Sequence, residues 1–203
     1  MGLYLYSLTC FSIPCLIWQI LNKRRIKGQK CGTRHFIWTY IFMFYCYLAV
    51  QDAAGIGTIW DLIEYGKIEG SVNLIPFQSE GVMTYILNII MFMPLGFLLP
   101  LIWKEFRRLY KVTITGFCFS FIIELCQLFC LRTTDIDDLI MNAIGTIIGY
   151  FVWLLFHKIF RFSGEKAIAL SKAEPVIYYV LGVVGIFFLY NWRIFYANDR
   201  RNN

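Results

Sequence analysis

The chain has 203 residues, 59% hydrophobic and only 16% charged, with a mean hydropathy of +0.60 and a formal net charge of +6. That balance excludes an ordinary soluble domain. It also argues against a nucleic-acid surface, because the basic residues are spread over short segments between apolar runs.

Six apolar runs are long enough to cross ~30 Å of hydrocarbon as helices. They are Leu3–Leu21, His35–Gln51, Tyr85–Trp103, Val112–Leu131, Leu139–Phe156 and Pro175–Trp192. An all-α, polytopic transmembrane bundle of about six spans follows. Fourteen of the 19 Lys and Arg residues lie between runs one and two, three and four, and five and six. The positive-inside rule then places those segments in the cytoplasm and both termini outside. No Lys or Arg occurs in the first nine residues, which suits an outward N-terminus and argues against a secretory signal peptide. The organisation reads as two spans and an outward loop over 1–72, a core of three spans over 73–156, and a cytoplasmic loop, last span and tail over 157–203.

Spans one and two are dense in Phe, Tyr and Trp and read as packing helices, with His35 an amphipathic anchor at the cytoplasmic interface. In the outward loop, Ile56–Tyr65 sets Ile56, Ile59, Trp60 and Ile63 on one face and Asp61 and Glu64 on another, as in a short interfacial helix. Asn73–Phe77 (NLIPF) is an apolar turn in which Pro76 fixes its own φ and biases Ile75 to extended backbone. Span three carries Asn88, Pro94, Gly96 and Pro100, the marks of a helix shaped around something, although Pro and Gly are common in transmembrane helices. The seven cysteines are an odd number with none in an outward loop, so no disulfide is expected there. Cys126 and Cys130 read as apolar fillers, and no metal or cofactor is expected.

Spans four and five carry the chemistry. On a helix, Thr113, Gly116, Ser120, Glu124, Gln127 and Leu131 share one face, as do Asp138, Asn142, Gly145 and Gly149, the second set within about 60°. The six-residue connection Arg132–Asp137 makes the two helices antiparallel neighbours. Gly116, Gly145 and Gly149 are expected where they touch, because small residues let backbones approach. Gln127 and Glu124 then lie about 6 and about 10 Å inside the membrane, at a level similar to Asn88 and Asn142. Arg132, Asp135, Asp137 and Asp138 form the mouth above them. An ionisable residue inside a span is a functional candidate by default, which singles out Glu124. Simpler roles compete. Asp135 with Asp138, or Thr134 with Asp137, is a capping-box spacing. Asn142 and Gln127 suit interhelical hydrogen bonds, and Arg132 suits a headgroup anchor.

The set NLIPF (Asn73–Phe77), N-x-x-x-F-x-P-L-G (Asn88–Gly96), IELCQ (Ile123–Gln127) and TDIDDLIMNAIGTIIG (Thr134–Gly149) resembles the VanZ-like family. Its motifs stand in the same order over Asn73 to Tyr150. The resemblance implies an integral membrane protein of the bacterial cell envelope with a role in resistance to teicoplanin, a glycopeptide antibiotic carrying a lipid tail. It supplies no reaction. Two functions stay open. The first is binding of a membrane lipid or a lipid-linked or lipidated molecule at the outer leaflet, through Asn73, Asn88, Glu124, Gln127, Arg132, Asp135, Asp137, Asp138 and Asn142. The second is an intramembrane enzyme with Glu124 or Asp138 as general acid or base, or with the aspartates holding a divalent cation at a phosphate. The lack of any histidine near the cluster favours binding.

Overall fold

The computed structural model describes residues 2–25, 33–55, 57–65, 72–77, 81–127, 134–160 and 171–191. Within them the chain is predominantly helical, as its apolar runs require. The helices are α1 (Gly2–Arg25), α2 (Thr33–Leu48), α3 (Ile59–Tyr65), α4 (Val82–Ile102), α5 (Leu109–Gln127), α6 (Ile136–Phe160) and α7 (Glu174–Leu189). Four helical stretches are long and apolar enough to cross a membrane: Gly2–Asn22, Val82–Ile102, Leu109–Gln127 and Ile136–Phe160. The other two expected spans are helices as well. α2 runs on through a π-helical turn, Ala49–Ala54, to Gly55 at φ 61°. α7 has 16 residues.

Burial has the polarity of a protein set in lipid. Ile90, Ile114, Leu155 and Phe160 are each more than half exposed, while Ser120, Glu124, Asn142 and Glu174 are buried. A soluble protein would not leave so much apolar surface uncovered. The hydrophobic core gathers around α4, whose Phe92, Leu95 and Leu99 pack with Phe42, Phe119, Trp153 and Tyr179. α4 stays helical through Pro94 and Pro100, and Tyr45 donates its hydroxyl to the Met91 carbonyl beside the first of these (2.9 Å).

The most extensive helix contact joins α4 to α6, and this corrects the sequence expectation. A Cβ on Gly145 would fall on the Ile89 carbonyl, and one on Gly149 on the Met93 carbonyl. Both glycines therefore meet the third span and not the fourth. Gly96 returns the contact, lying against the Thr146 and Tyr150 backbone. Helical phase explains the difference. From Asp138, Gly145 and Gly149 are rotated by about 20° to either side, whereas Asn142 and Thr146 lie about 40° and 80° round. The first set meets α4. The second meets α5, where Asn142 bonds Ser120 and Thr146 fills the space left by Gly116. One stripe read from the sequence thus serves two neighbours.

His35 is also corrected. It is buried, and its Nε2 lies 3.2 Å from both carboxylate oxygens of Glu174 at the start of α7. Trp103 Nε1 and Tyr178 OH donate to the same carboxylate, each at 3.0 Å. The residue read as an interfacial anchor instead ties α2, α4 and α7 together.

Candidate functional site

The acidic mouth is built by a small piece of sheet. Two-residue strands β1 (Val72–Asn73) and β2 (Thr134–Asp135) pair in parallel, with Asn73 opposite Asp135. This lays the NLIPF turn against the first turn of α6, a role the sequence alone did not assign to it. Asn73 Nδ2 donates to Asp135 Oδ2 (3.1 Å), and its Oδ1 accepts the Ile75 N–H (3.1 Å). Asp135 caps α6 by accepting the Asp137 N–H (3.0 Å), the N-cap role that the spacing suggested. Asp137 is fully buried. Both of its oxygens accept the Phe77 N–H at 2.9 Å, and Oδ2 also accepts the Tyr85 hydroxyl at 2.8 Å. Asp135 and Asp137 are thereby engaged in holding the turn.

One turn deeper, Asn88 of α4 donates to Asp138 of α6. Across the bundle, Asn142 Nδ2 donates to Ser120 Oγ of α5 (2.8 Å). Glu124 stands one turn beyond Ser120, as Asp138 stands one turn before Asn142. In antiparallel helices that sets the two carboxyl groups at the same level. Asp138 and Asp135 are the acidic neighbours that act on Glu124 electrostatically. The Thr134 hydroxyl bonds the Glu124 carbonyl (3.1 Å) and holds the start of α6 to the end of α5. Gln127 is buried on the same face. Asn73, Asn88, Glu124, Asp135, Asp137, Asp138 and Asn142 thus gather at one end of the bundle, and Arg132 lies outside the described residues.

Among the described residues, Oε2 of Glu124 and Oδ1 of Asn142 have no hydrogen-bond partner in the protein. Their side chains are 3% and 1% exposed. The rim above is apolar and open, with Leu74 70%, Phe77 66% and Met83 68% exposed. Phe77 sits at φ 62°, a left-handed conformation that a bulky residue seldom adopts. Its ring packs edge-on to Tyr85, 6.3 Å between centroids. The arrangement offers buried acceptors beneath an apolar lip, suited to an amphiphile with its polar end inward. Tyr85 escaped the sequence reading, since it lies in span three among apolar neighbours. Its position three residues before Asn88 is the one signal that marks it.

The sequence model of the VanZ/LLP1 family matches residues 36–157. Over 90 residues the chain is 34% identical to Protein VanZ of Enterococcus faecium, a match covering 43% of this chain and 55% of that protein. The chain thus aligns with about half the length of this curated relative. No solved structure matches it. The matched family segment contains the whole acidic and amide cluster and leaves His35 and Glu174 outside.

Proposed function

The chain belongs to the VanZ/LLP1 family, and from that premise we propose that it binds a lipid-linked or lipidated molecule at the outer leaflet of the cell membrane. Protection against lipoglycopeptides such as teicoplanin would follow from altered access of the antibiotic to its membrane-bound target. The observation that carries this reading is Glu124, a buried carboxyl group with an unpartnered oxygen, set beneath the exposed rim of Leu74, Phe77 and Met83. Most buried polar atoms are bonded within the protein, and among the described residues Glu124 Oε2 is the one buried carboxylate oxygen that is not.

The test is teicoplanin susceptibility beside membrane abundance, in a sensitive host expressing each variant. Glu124→Gln keeps the side chain's shape and removes its ionisable group. Glu124→Gln and Asp138→Asn are expected within about twofold of the parent in abundance, with protection reduced to that of the host alone. Full protection from both variants would reduce the cluster to helix packing. The same carboxyl, with its one unpartnered oxygen, supports a second reading, an intramembrane enzyme using Glu124 as general acid or base. That reading requires a covalently altered envelope lipid in extracts of cells expressing the parent and none in those expressing Glu124→Gln. Identical lipid profiles would remove it.

A further inference from the structure

The unpartnered atoms define what the site can accept. Glu124 Oε2 and Asn142 Oδ1 are both acceptors, and Asn142 has already committed its Nδ2 to Ser120. Both side chains are more than nine-tenths buried. With no partner among the described residues, each oxygen bears the cost of desolvation with no protein bond in return. A fully ionised phosphate brings only further oxygens and donates to neither atom. A hydroxyl donates once and carries no charge. A primary ammonium donates three hydrogen bonds from one compact centre. It also balances a carboxylate that no described cation pairs, for the ion pair found among the described residues is His35 with Glu174.

We propose that the buried site between α5 and α6 receives the primary ammonium head group of an amphiphile, with Glu124 Oε2 and Asn142 Oδ1 each accepting one N–H. This rests on the ligand-binding reading and names its ligand class. The exposed side chains of Leu74, Phe77 and Met83 meet the ligand's apolar part where it leaves the site. The ammonium belongs either to an aminophospholipid head group or to a separate amine-bearing amphiphile.

Thermal unfolding of the purified full chain in nonionic detergent, followed by tryptophan fluorescence, tests the assignment. The probes are dodecylamine, dodecyltrimethylammonium and dodecyl phosphate. Dodecylamine is expected to raise Tm saturably, with an apparent affinity at least about tenfold above that of the trimethyl analogue, which has the charge and no N–H donors. Glu124→Gln and Asn142→Leu should each weaken dodecylamine by about 10- to 100-fold, the loss of one charge-assisted hydrogen bond. Equal shifts from the two cations would mean general attraction to a negative surface and would overturn the proposal. Tighter binding of dodecyl phosphate would overturn the ammonium class and leave the ligand-binding reading standing. No shift from any probe would remove both. These comparisons are read on the parent, so a variant that fails to fold leaves the test intact. Nanodiscs of phosphatidylethanolamine and phosphatidylcholine then separate the sources. A higher Tm in phosphatidylethanolamine, with no further rise from dodecylamine, supports a lipid head group. Equal Tm in both, with the dodecylamine shift retained in both, supports a separate amphiphile.

Discussion

Asp137 is a carboxylate whose hydrogen bonds point inward to the chain itself. The Phe77 N–H and the Tyr85 hydroxyl are both directed at it, and no part of it is exposed. Removing it leaves two donors without their acceptor and releases a backbone held at φ 62°. Asp137→Ala is therefore expected to destabilise the protein by about 3 kcal/mol or more, and Tyr85→Phe by about 1 kcal/mol, measured by thermal unfolding in detergent. An Asp137→Ala variant melting with the parent would show that the turn is held by something else. Reading along the helices found Asn88, Glu124, Asp138 and Asn142, because helical phase and depth alone bring such groups to one level. It did not separate the bracing aspartates from a glutamate that keeps one oxygen without a partner among the described residues. That distinction depends on a backbone N–H 60 residues away, which no local pattern encodes. Glu174 escaped for a similar reason, since its partner His35 lies 139 residues off. Its place just before Pro175 at a helix start suits an ordinary first-turn acid, so nothing local marks it.

At the scale of elements, the α4–α6 and α5–α6 contacts differ in what opposes a new side chain. At Gly149 the obstacle is the Met93 carbonyl, a backbone group that cannot move without shifting its helix. At Gly116 the nearest obstacle is the side chain of Thr146. Gly149→Ala should therefore lower the amount of folded protein in membranes, and Gly149→Leu should abolish it. Gly116→Ala should also be damaging, by about 1–3 kcal/mol of overpacking, but recoverable by adding Thr146→Gly. Recovery of Gly149→Ala by any single side-chain truncation on α4, or failure of the Gly116→Ala/Thr146→Gly pair, would contradict this division. The helices themselves were legible, because apolar runs of this length in lipid have little alternative to helix. The pairing was only half legible. A small-residue stripe shows that a neighbour approaches closely, but two neighbours about 60° apart draw on the same stripe, and the short α5–α6 connection pointed to only one of them.

At the scale of the whole molecule, charge divides the bundle into two ends. Glu124 and the aspartates gather where α4 and α6 begin and α5 finishes. Arg34, Lys104, Arg107, Arg108, Lys111, Lys158 and Lys172 lie at or beyond the opposite ends of their helices. That end is closed by polar contacts of its own. Trp103 bonds Glu174, Tyr150 donates its hydroxyl to the Arg107 carbonyl (3.0 Å), and the Arg107 guanidinium lies 5.9 Å from the Trp153 ring centre. With the basic end in the cytoplasm, as the positive-inside rule predicts, the cluster would lie in the outer leaflet, where a ligand arriving from outside would meet it without crossing the membrane. Two exposed positions test this in a cysteine-free variant. Gly81 precedes α4 at the acidic end, with open space where a side chain would stand, and Lys104 follows α4 at the basic end. In intact cells a membrane-impermeant maleimide should label Gly81→Cys and spare Lys104→Cys, and permeabilisation should expose the second. The reverse pattern would turn the bundle over, place Glu124 in the cytoplasmic leaflet, and remove an externally presented amphiphile from reach of the site.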